Sequence, residues 1–521
     1  MRVFWLTGVA ILGLTSFYLC NAQILTERSF NIGSSHSLSN SVRPLGNSVT
    51  DIVISGSTIW LGTGKGLSRS TNSGSTWRNY YNTPEFGEED ISAIAVHGTE
   101  VWAATAHSTK IGDNTFPEGS GLRYSSDWGE SWSIIAQPRD TESIVTLKYN
   151  DKSRIRALGI TTNINNITYD IAATDSAVWI TSYAGMARKS TDKGQTWQIV
   201  ILPPDRLDSI SPTDSLVFDV SPVGGNLGLE NNLNHRAFSV HADDWAKVWI
   251  GSAGGINKTT DGGRSWVKFN HTNQAFPISG NFVVAIGVQY FSGRSITWAA
   301  TINAEGPDEK RGLSFSEDGW QTWKTALLGE FCHNIGFKNS ITYVVSDNGI
   351  FRTADRGNTW VQPGTIYDNV SKQRITSSKF YSADAQGDIV WFGGSEGAAY
   401  TTDNSSTQFG STWTILHSSQ NLTTTASTYA YPNPFSPDDE VVRIHYATSG
   451  IASKVTIRIF DFGMLLVRTL VSNAPRPTAA EYDEVWDGKD DHRRQVTNGP
   501  YFYQVVIDND KALWGKILVL Q

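Results

Sequence analysis

Seven stretches of the chain are versions of one eight-residue phrase, and a phrase repeated at irregular spacing constrains the fold more than any other feature of the sequence. The clearest copies read STDKGQTW at 190–197, TTDGGRSW at 259–266 and TADRGNTW at 353–360. STNSGSTW at 70–77 and SSDWGESW at 125–132 carry single changes. Two copies are degraded: SEDGWQTW at 316–323 has Trp320 where glycine is expected, and TTDNSSTQFGSTW at 401–413 carries an insertion. The closing tryptophans are Trp77, Trp132, Trp197, Trp266, Trp323, Trp360 and Trp413. Successive ones lie between 37 and 69 residues apart, so a fixed unit tolerates insertions of different length.

Upstream of each box runs an apolar strand, a glycine-containing turn and a further strand, as in TIWLGTGKGLSRS and KVWIGSAGGINKT. Trp60, Trp102, Trp179, Trp249, Trp298 and Trp391 occupy one equivalent slot there, with Tyr343 as the exception. Four short antiparallel strands repeated seven times predict a seven-bladed β-propeller over 23–416. The third box position, Asn72, Asp127, Asp192, Asp261, Asp318, Asp355 and Asp403, is expected to close the turn by accepting backbone N–H groups two residues on. Gly74, Gly129, Gly194, Gly263 and Gly357 suit a turn position with positive φ. The closing tryptophan then packs against the neighbouring blade, where full burial is worth at most roughly 4–6 kcal/mol. Carboxylates spread around a ring are too far apart for a glycosidase pair, which needs roughly 5–10 Å. The boxes therefore read as structural, with no catalytic, cofactor or metal role.

With these residues in view, the Ser/Thr-x-Asp-x-Gly-x-Thr/Ser-Trp box resembles the Asp-box (BNR) repeat of sialidases, sortilin-type receptors, xyloglucanases and photosystem assembly-factor propellers. The resemblance implies a fold and no particular activity, because in that superfamily the boxes lie away from the ligand face. Sialidases need an Arg-Ile-Pro element that Arg43-Pro44-Leu45 only faintly echoes, and xyloglucanases use two facing propellers. His235 and His241, six apart, do not make a metal-ligand spacing.

The box joins the third and fourth strands, so insertions elsewhere in the unit are expected at the opposite, ligand-binding face. Four qualify: 107–120, 137–168, 203–236 and 303–311. Loops of this length are functional or disordered, and their mixed charges specify no chemistry.

Both ends of the chain read differently. Arg2, an apolar run over 3–19 and Cys20-Asn21-Ala22 predict a signal peptide cleaved after Ala22; a transmembrane anchor is the competing reading, and the small-residue exit favours cleavage. That leaves Cys332 alone, so no internal disulfide is expected, and its neighbour His333 should point to the opposite face of the strand. Residues 417–428 are polar and read as a linker. In 429–521, Val442, Ile444 and Tyr446 alternate with polar neighbours, as do Val455, Ile457 and Ile459, which predicts a small β-sandwich.

This last segment resembles the FlgD-like immunoglobulin module and, more closely, the carboxyl-terminal sorting domain of the type IX secretion system. The match rests on Tyr431-Pro432-Asn433-Pro434-Phe435, Ile459-Phe460-Asp461, Trp486-Asp487-Gly488, Asn498-Gly499-Pro500-Tyr501 and the terminal Gly515-Lys516. It implies export across the outer membrane of a bacterium, with outer-membrane secretion machinery as partner, and a protein secreted or held at the cell surface. A formal net charge of −8 without a long basic run argues against nucleic acid as a ligand. The expected function is non-catalytic binding of a protein or glycan. The alternative is a glycoside hydrolase, which two carboxyl groups in the central funnel beside exposed aromatics would favour.

Overall fold

The computed structural model describes residues 41, 43–223, 229–371, 373–417, 428–431, 433–438, 441–448, 453–476, 481–508, 510 and 512–520. The signal segment, nearly all of the linker, Pro432 and the stretch Ile24 to Phe30, expected as a closing strand, lie outside these residues.

The described residues are all β, with one 3-10 turn at Leu233–His235. The first unit is a β-propeller. Its first blade runs in order through Val49–Ser55, Thr58–Thr63, Gly66–Ser70 and Arg78–Tyr80. Six more antiparallel sheets follow the same pattern, the last being Phe380–Gln386, Ile389–Gly394, Gly397–Thr402 and Thr414–Leu416. In the sixth, the outer strand shrinks to a single bridge between Arg352 and Val361. The innermost strands pack each against the next around the axis, and the last packs on the first. Each second strand lies between neighbouring blades, so both of its faces are covered; Thr58–Thr63 and Val178–Ser182 are buried at every position. That is why these strands read as continuous apolar runs rather than alternating ones.

The second unit is a sandwich of two antiparallel sheets, Thr428–Tyr431, Val442–Ala447 and Glu481–Trp486 against Leu466–Arg476, Ser453–Phe460, Gly499–Ile507 and Leu513–Val519. Val442, Ile444, Tyr446, Val455, Ile457 and Ile459 are all fully buried in its core, as their alternation requires. The polar positions between them are not all wet, because the propeller covers the outer face of the three-stranded sheet. Arg443 on that face pairs with Glu396 at 3.4 Å; at the end of the four-stranded sheet Arg476 donates to the Ser371 carbonyl at 2.5 Å, and Arg43 lies over the Tyr482 ring at 4.6 Å.

Candidate functional site

The boxes form one hydrogen-bonded device. In the third blade, Asp192 Oδ1 accepts from Ser190 Oγ at 2.7 Å and from Thr196 N at 2.9 Å, while Oδ2 accepts from Thr196 Oγ1 at 2.6 Å. Ser190 Oγ in turn accepts from Gly194 N at 2.8 Å. Asp127, Asp261, Asp318 and Asp355 repeat the pattern, so the carboxylate reaches the residue four positions on rather than two. These bonds hold Asp127, Asp192 and Asp355 down at about 2, with the hydroxyl donor at the seventh box position as the largest cause. Asn72 keeps the bond from Thr76 N at 2.9 Å and reverses the other, donating its amide to Thr76 Oγ1.

The box glycines have φ between +81° and +91°, and the residue before each is also left-handed. They carry a second constraint. A methyl at Gly263 would lie 2.8 Å from Trp179, at Gly129 2.6 Å from Trp60, and at Gly74 2.7 Å from Trp391. The slot tryptophan of one blade thus sits on the box glycine of the next, and edge-on indole pairs follow, Trp60 with Trp132 and Trp179 with Trp266, both at 6.2 Å. All six slot tryptophans are buried, as are Trp77, Trp266, Trp323 and Trp413, whereas Trp132, Trp197 and Trp360 stay partly exposed.

Asp403 departs from the expectation. It is buried and closes no turn of its own; it accepts from Arg352 Nε at 2.6 Å and Nη2 at 3.1 Å, and from the Tyr343 hydroxyl. Asn404 takes over the local turn, accepting from Ser406 N at 3.0 Å and Thr407 N at 2.7 Å. The one blade with tyrosine in the slot is the one that faces the degraded seventh box, and its hydroxyl donates to the carboxylate of that box.

The insertions also differ from expectation. Residues 107–120 lengthen a hairpin, Glu100–Ile111 with Asn114–Ser125. Residues from 137–168 and 203–236 do not hang free over the axis. Arg154–Leu158 pairs in parallel with Val217–Val220, and this accessory sheet shares one core with the third and fourth blades. Asp140, in the first of these insertions, makes a two-pronged ion pair with buried Arg188, at 2.7 and 3.1 Å. His235 is buried, and desolvation holds its imidazole at about 3, neutral.

The feature that sequence reasoning missed is the axis itself. Six inner strands bulge at the same place near their start, and the bulge residues other than Ser92 line the axis. Thr50, Tyr169, Phe238, His333 and Tyr381 line a cavity of about 90 Å³ together with Asp51 and Asp170. Tyr169 packs on Phe238 at 5.3 Å, and Tyr381 stands edge-on to His333 at 5.4 Å. Cys332, one residue before, is buried on the other side of the strand, where desolvation pushes its thiol up to about 12.

Burial raises Asp51 to about 6 and Asp170 to about 7, and Asp384 on the last inner strand to about 7. Each joins its own strand to the next blade. Asp384 Oδ2 accepts from Ile54 N, Asp51 Oδ2 from Ile94 N and Asp170 Oδ2 from Val240 N, all at 2.8 Å. The second oxygen of Asp170 and of Asp384 accepts the N–H of the following residue, also at 2.8 Å. The sequence signal was a lone carboxylate inside an apolar strand, as in VTDIVIS.

The sandwich brings together two motifs that are 80 residues apart in the chain. Asn433 donates to the Lys516 carbonyl at 2.7 Å and accepts from Leu518 N at 2.8 Å, and Phe435 N donates to the Leu518 carbonyl at 3.0 Å. Phe435 is buried against Trp486 at 5.6 Å, and the Tyr503 ring covers Gly515 so closely that a side chain has no room there. Tyr431 ends the strand Thr428–Tyr431, half-buried. Among the described residues no group of three or more metal-ligating side chains assembles, and no helix is long and apolar enough to cross a membrane.

No protein family model matches the chain, and no curated protein does. Among solved structures it is similar to YCF48 bound to a D1 peptide, at 14% identity over 70% of this chain and 96% of that one, with a TM-score of 0.41. A GH74 enzyme from Niastella koreensis is 14% identical over 93% of this chain and 75% of its own, with a TM-score of 0.49. PorZ, a surface component of the type IX secretion system of Porphyromonas gingivalis, is 12% identical over 89% and 64%, with a TM-score of 0.33.

Proposed function

We propose that the chain is an exported, non-catalytic Asp-box propeller that binds a protein or glycan on the face around the axial mouth, and that the carboxyl-terminal sandwich directs its passage across the outer membrane. The observation that carries the binding reading is the state of the axial carboxylates. Their oxygens already accept backbone N–H groups that join blades, and the 90 Å³ beside them falls well short of the roughly 300–1,000 Å³ of small-molecule sites. A ligand of any size therefore rests on the rim rather than entering the axis. Screening the mature protein on glycan and protein arrays tests this: binding should weaken at least tenfold in Tyr169→Ala, the half-buried aromatic of the axial lining, and less in Phe238→Ala or Tyr381→Ala, whose rings are buried. A Tyr169→Ala variant that binds every captured ligand as the parent does would refute it.

The export reading is supported by the resemblance of 429–521 and by the contact of its first and last motifs. Removal of 429–521 should leave the propeller in the periplasm, and normal surface delivery of the truncated chain would end this reading.

A glycoside hydrolase is the second reading. Asp51 and Asp170 line one cavity beside Tyr169, Phe238 and Tyr381, and the values of about 6 and 7 suit a general acid. Polysaccharide hydrolysis that disappears in Asp170→Asn while the fold persists would establish it over the first.

A further inference from the structure

Sixteen large apolar side chains are exposed among the described residues, and five of them, Phe462, Met464, Leu465, Leu466 and Trp514, gather at one end of the sandwich. The first four stand on or beside the turn between Ser453–Phe460 and Leu466–Arg476. Strand pairing joins them to the outer face of the four-stranded sheet. Leu466, Phe460 and Phe502 lie opposite one another in a single row across it, alternating with the buried Ile459, Tyr501 and Tyr503 of the core. Trp514 packs on Phe460 from the next row at 5.5 Å, and the Phe462 ring stacks with Phe502 at 6.4 Å. The turn itself is firmly closed: Asp461 N donates to the Leu465 carbonyl and Met464 N to the Asp461 carbonyl, both at 3.0 Å, and Leu465 N donates to Asp461 Oδ1 at 2.9 Å. A fixed, continuous apolar patch of this kind marks contact with a protein or a membrane.

Shape and charge both select the membrane. Leu466 shares the outer face with Phe460, its partner across the hairpin, so its neighbour Leu465 belongs to the other side. Both are exposed, at 51% and 69%, and Phe462 between the strands is 74% exposed. The tip is thus apolar on both sides. A flat protein face covers one side of such a tip, whereas fluid hydrocarbon encloses it whole. The charges agree. Lys516 continues the row of Phe460 and Phe502, and Arg458 stands with Thr469, Gln504 and Trp514 in the next, so the two rows hold two cations and no acid. The carboxylate nearest the tip, Asp461, is engaged with the Leu465 N–H of its own turn. Trp514 adds an indole, the side chain that settles where hydrocarbon meets headgroups. An apolar tip, an indole and flanking cations complement a surface that carries phosphates just outside a hydrocarbon layer.

We propose that the sandwich docks on a lipid bilayer with anionic headgroups, its 461–466 turn set among the acyl chains and Arg458 and Lys516 against lipid phosphates. The surface is separate from the axial rim, and the proposal stands whether or not that rim binds anything or the sandwich directs export. Co-sedimentation of the mature protein with vesicles of phosphatidylglycerol and phosphatidylethanolamine, and with vesicles of phosphatidylcholine alone, tests it. The protein should bind the anionic vesicles saturably and at least threefold more tightly than the neutral ones. The double variant Phe462→Ser, Leu465→Ser should bind at least tenfold more weakly at unchanged thermal midpoint, because both side chains are exposed in the folded protein. Lys516→Gln should weaken binding to the anionic vesicles alone, and Val370→Ser, which removes an equally exposed apolar side chain from the propeller, should change nothing. The proposal is overturned if the parent binds neither kind of vesicle, if the double variant binds like the parent, or if sedimentation velocity shows a parent dimer that the double variant dissolves, which would give the patch to a second copy of the chain.

Discussion

Gly263→Ala separates two reasons for a glycine in the box. At φ +91° an alanine pays for left-handed backbone, about 1–2 kcal/mol. The new methyl would also lie 2.8 Å from the Trp179 ring and 3.4 Å from Trp266, inside the 3.5–4.0 Å optimum of carbon contacts. Overpacking of this kind costs about 1–3 kcal/mol, so the sum is about 2–5 kcal/mol. Gly98 supplies the control, since its φ is +58° and nothing lies within 4 Å of an added methyl; Gly98→Ala should cost only the backbone part. Urea unfolding followed by tryptophan fluorescence compares the two. In a Trp179→Phe background, where the smaller ring leaves space, the cost of Gly263→Ala should fall to that of the control, a coupling of about 1–3 kcal/mol. If Gly263→Ala costs no more than Gly98→Ala, or the cycle shows no coupling, the slot tryptophan does not lock the next blade and the reasoning fails.

Asp403→Ala strands Arg352 and the Tyr343 hydroxyl, and should destabilise toward the lower end of the roughly 3–5 kcal/mol of a broken buried pair, because Arg352 keeps 19% of its side chain exposed; the same change at surface Asp192 should cost far less in the same urea assay. The axial acids give a pH dependence of definite sign. Asp51, Asp170 and Asp384 bind their protons more tightly folded, at about 6 to 7, than at the ordinary 3.8, so their contribution to stability is full below about pH 4 and is lost as pH rises through 6 to 7. Stability measured from pH 4 to 8 should decline along this limb, and Asp170→Asn should make it shallower; an unchanged slope would count against the burial of that carboxyl group.

The propeller was legible because its signals are local. Turn, glycine and tryptophan fall within eight residues, and the spacing of Val442, Ile444 and Tyr446 needs no knowledge of a partner strand. The axial carboxylates were not legible, since Asp51 acquires its role from Ile94 of the next blade and from a bulge that sets which way its neighbours point. The accessory sheet escaped for the same reason. Arg154 pairs with Val217 across 63 residues, and a parallel pairing leaves no turn to announce it. Asp403 shows the limit most clearly: its place in the phrase names a turn, and only Arg352 and Tyr343, 51 and 60 residues earlier, reassign it.

Ring closure follows from the same contacts. All four strands of the last blade come from 380–416 in one run, and Ser41 pairs with Trp77 at the outer edge of the first blade rather than with the last. Among the described residues, then, no strand crosses the seam between last and first blades. The seam is held by Ile52 N to Ser382 Oγ at 2.9 Å, Ile54 N to Asp384 at 2.8 Å, and Trp391 seated on Gly74 and edge-on to Trp77 at 6.3 Å. The Trp60 seam has the matching contacts, Ile94 N to Asp51 at 2.8 Å and Trp60 seated on Gly129 and edge-on to Trp132, plus a covalent connection between consecutive blades. Trp391→Ala should therefore open the ring locally more than Trp60→Ala, although both tryptophans are at most 2% exposed and each sits on the next blade's box glycine, edge-on to its closing tryptophan. Amide exchange resolved by strand reads this directly: protection should fall on both sides of the Trp391 seam, in Val49–Ser55 and Phe380–Gln386 together, and less at the Trp60 seam. Equal loss at the two seams would mean that the connecting chain adds nothing to what the interlocked tryptophans already hold.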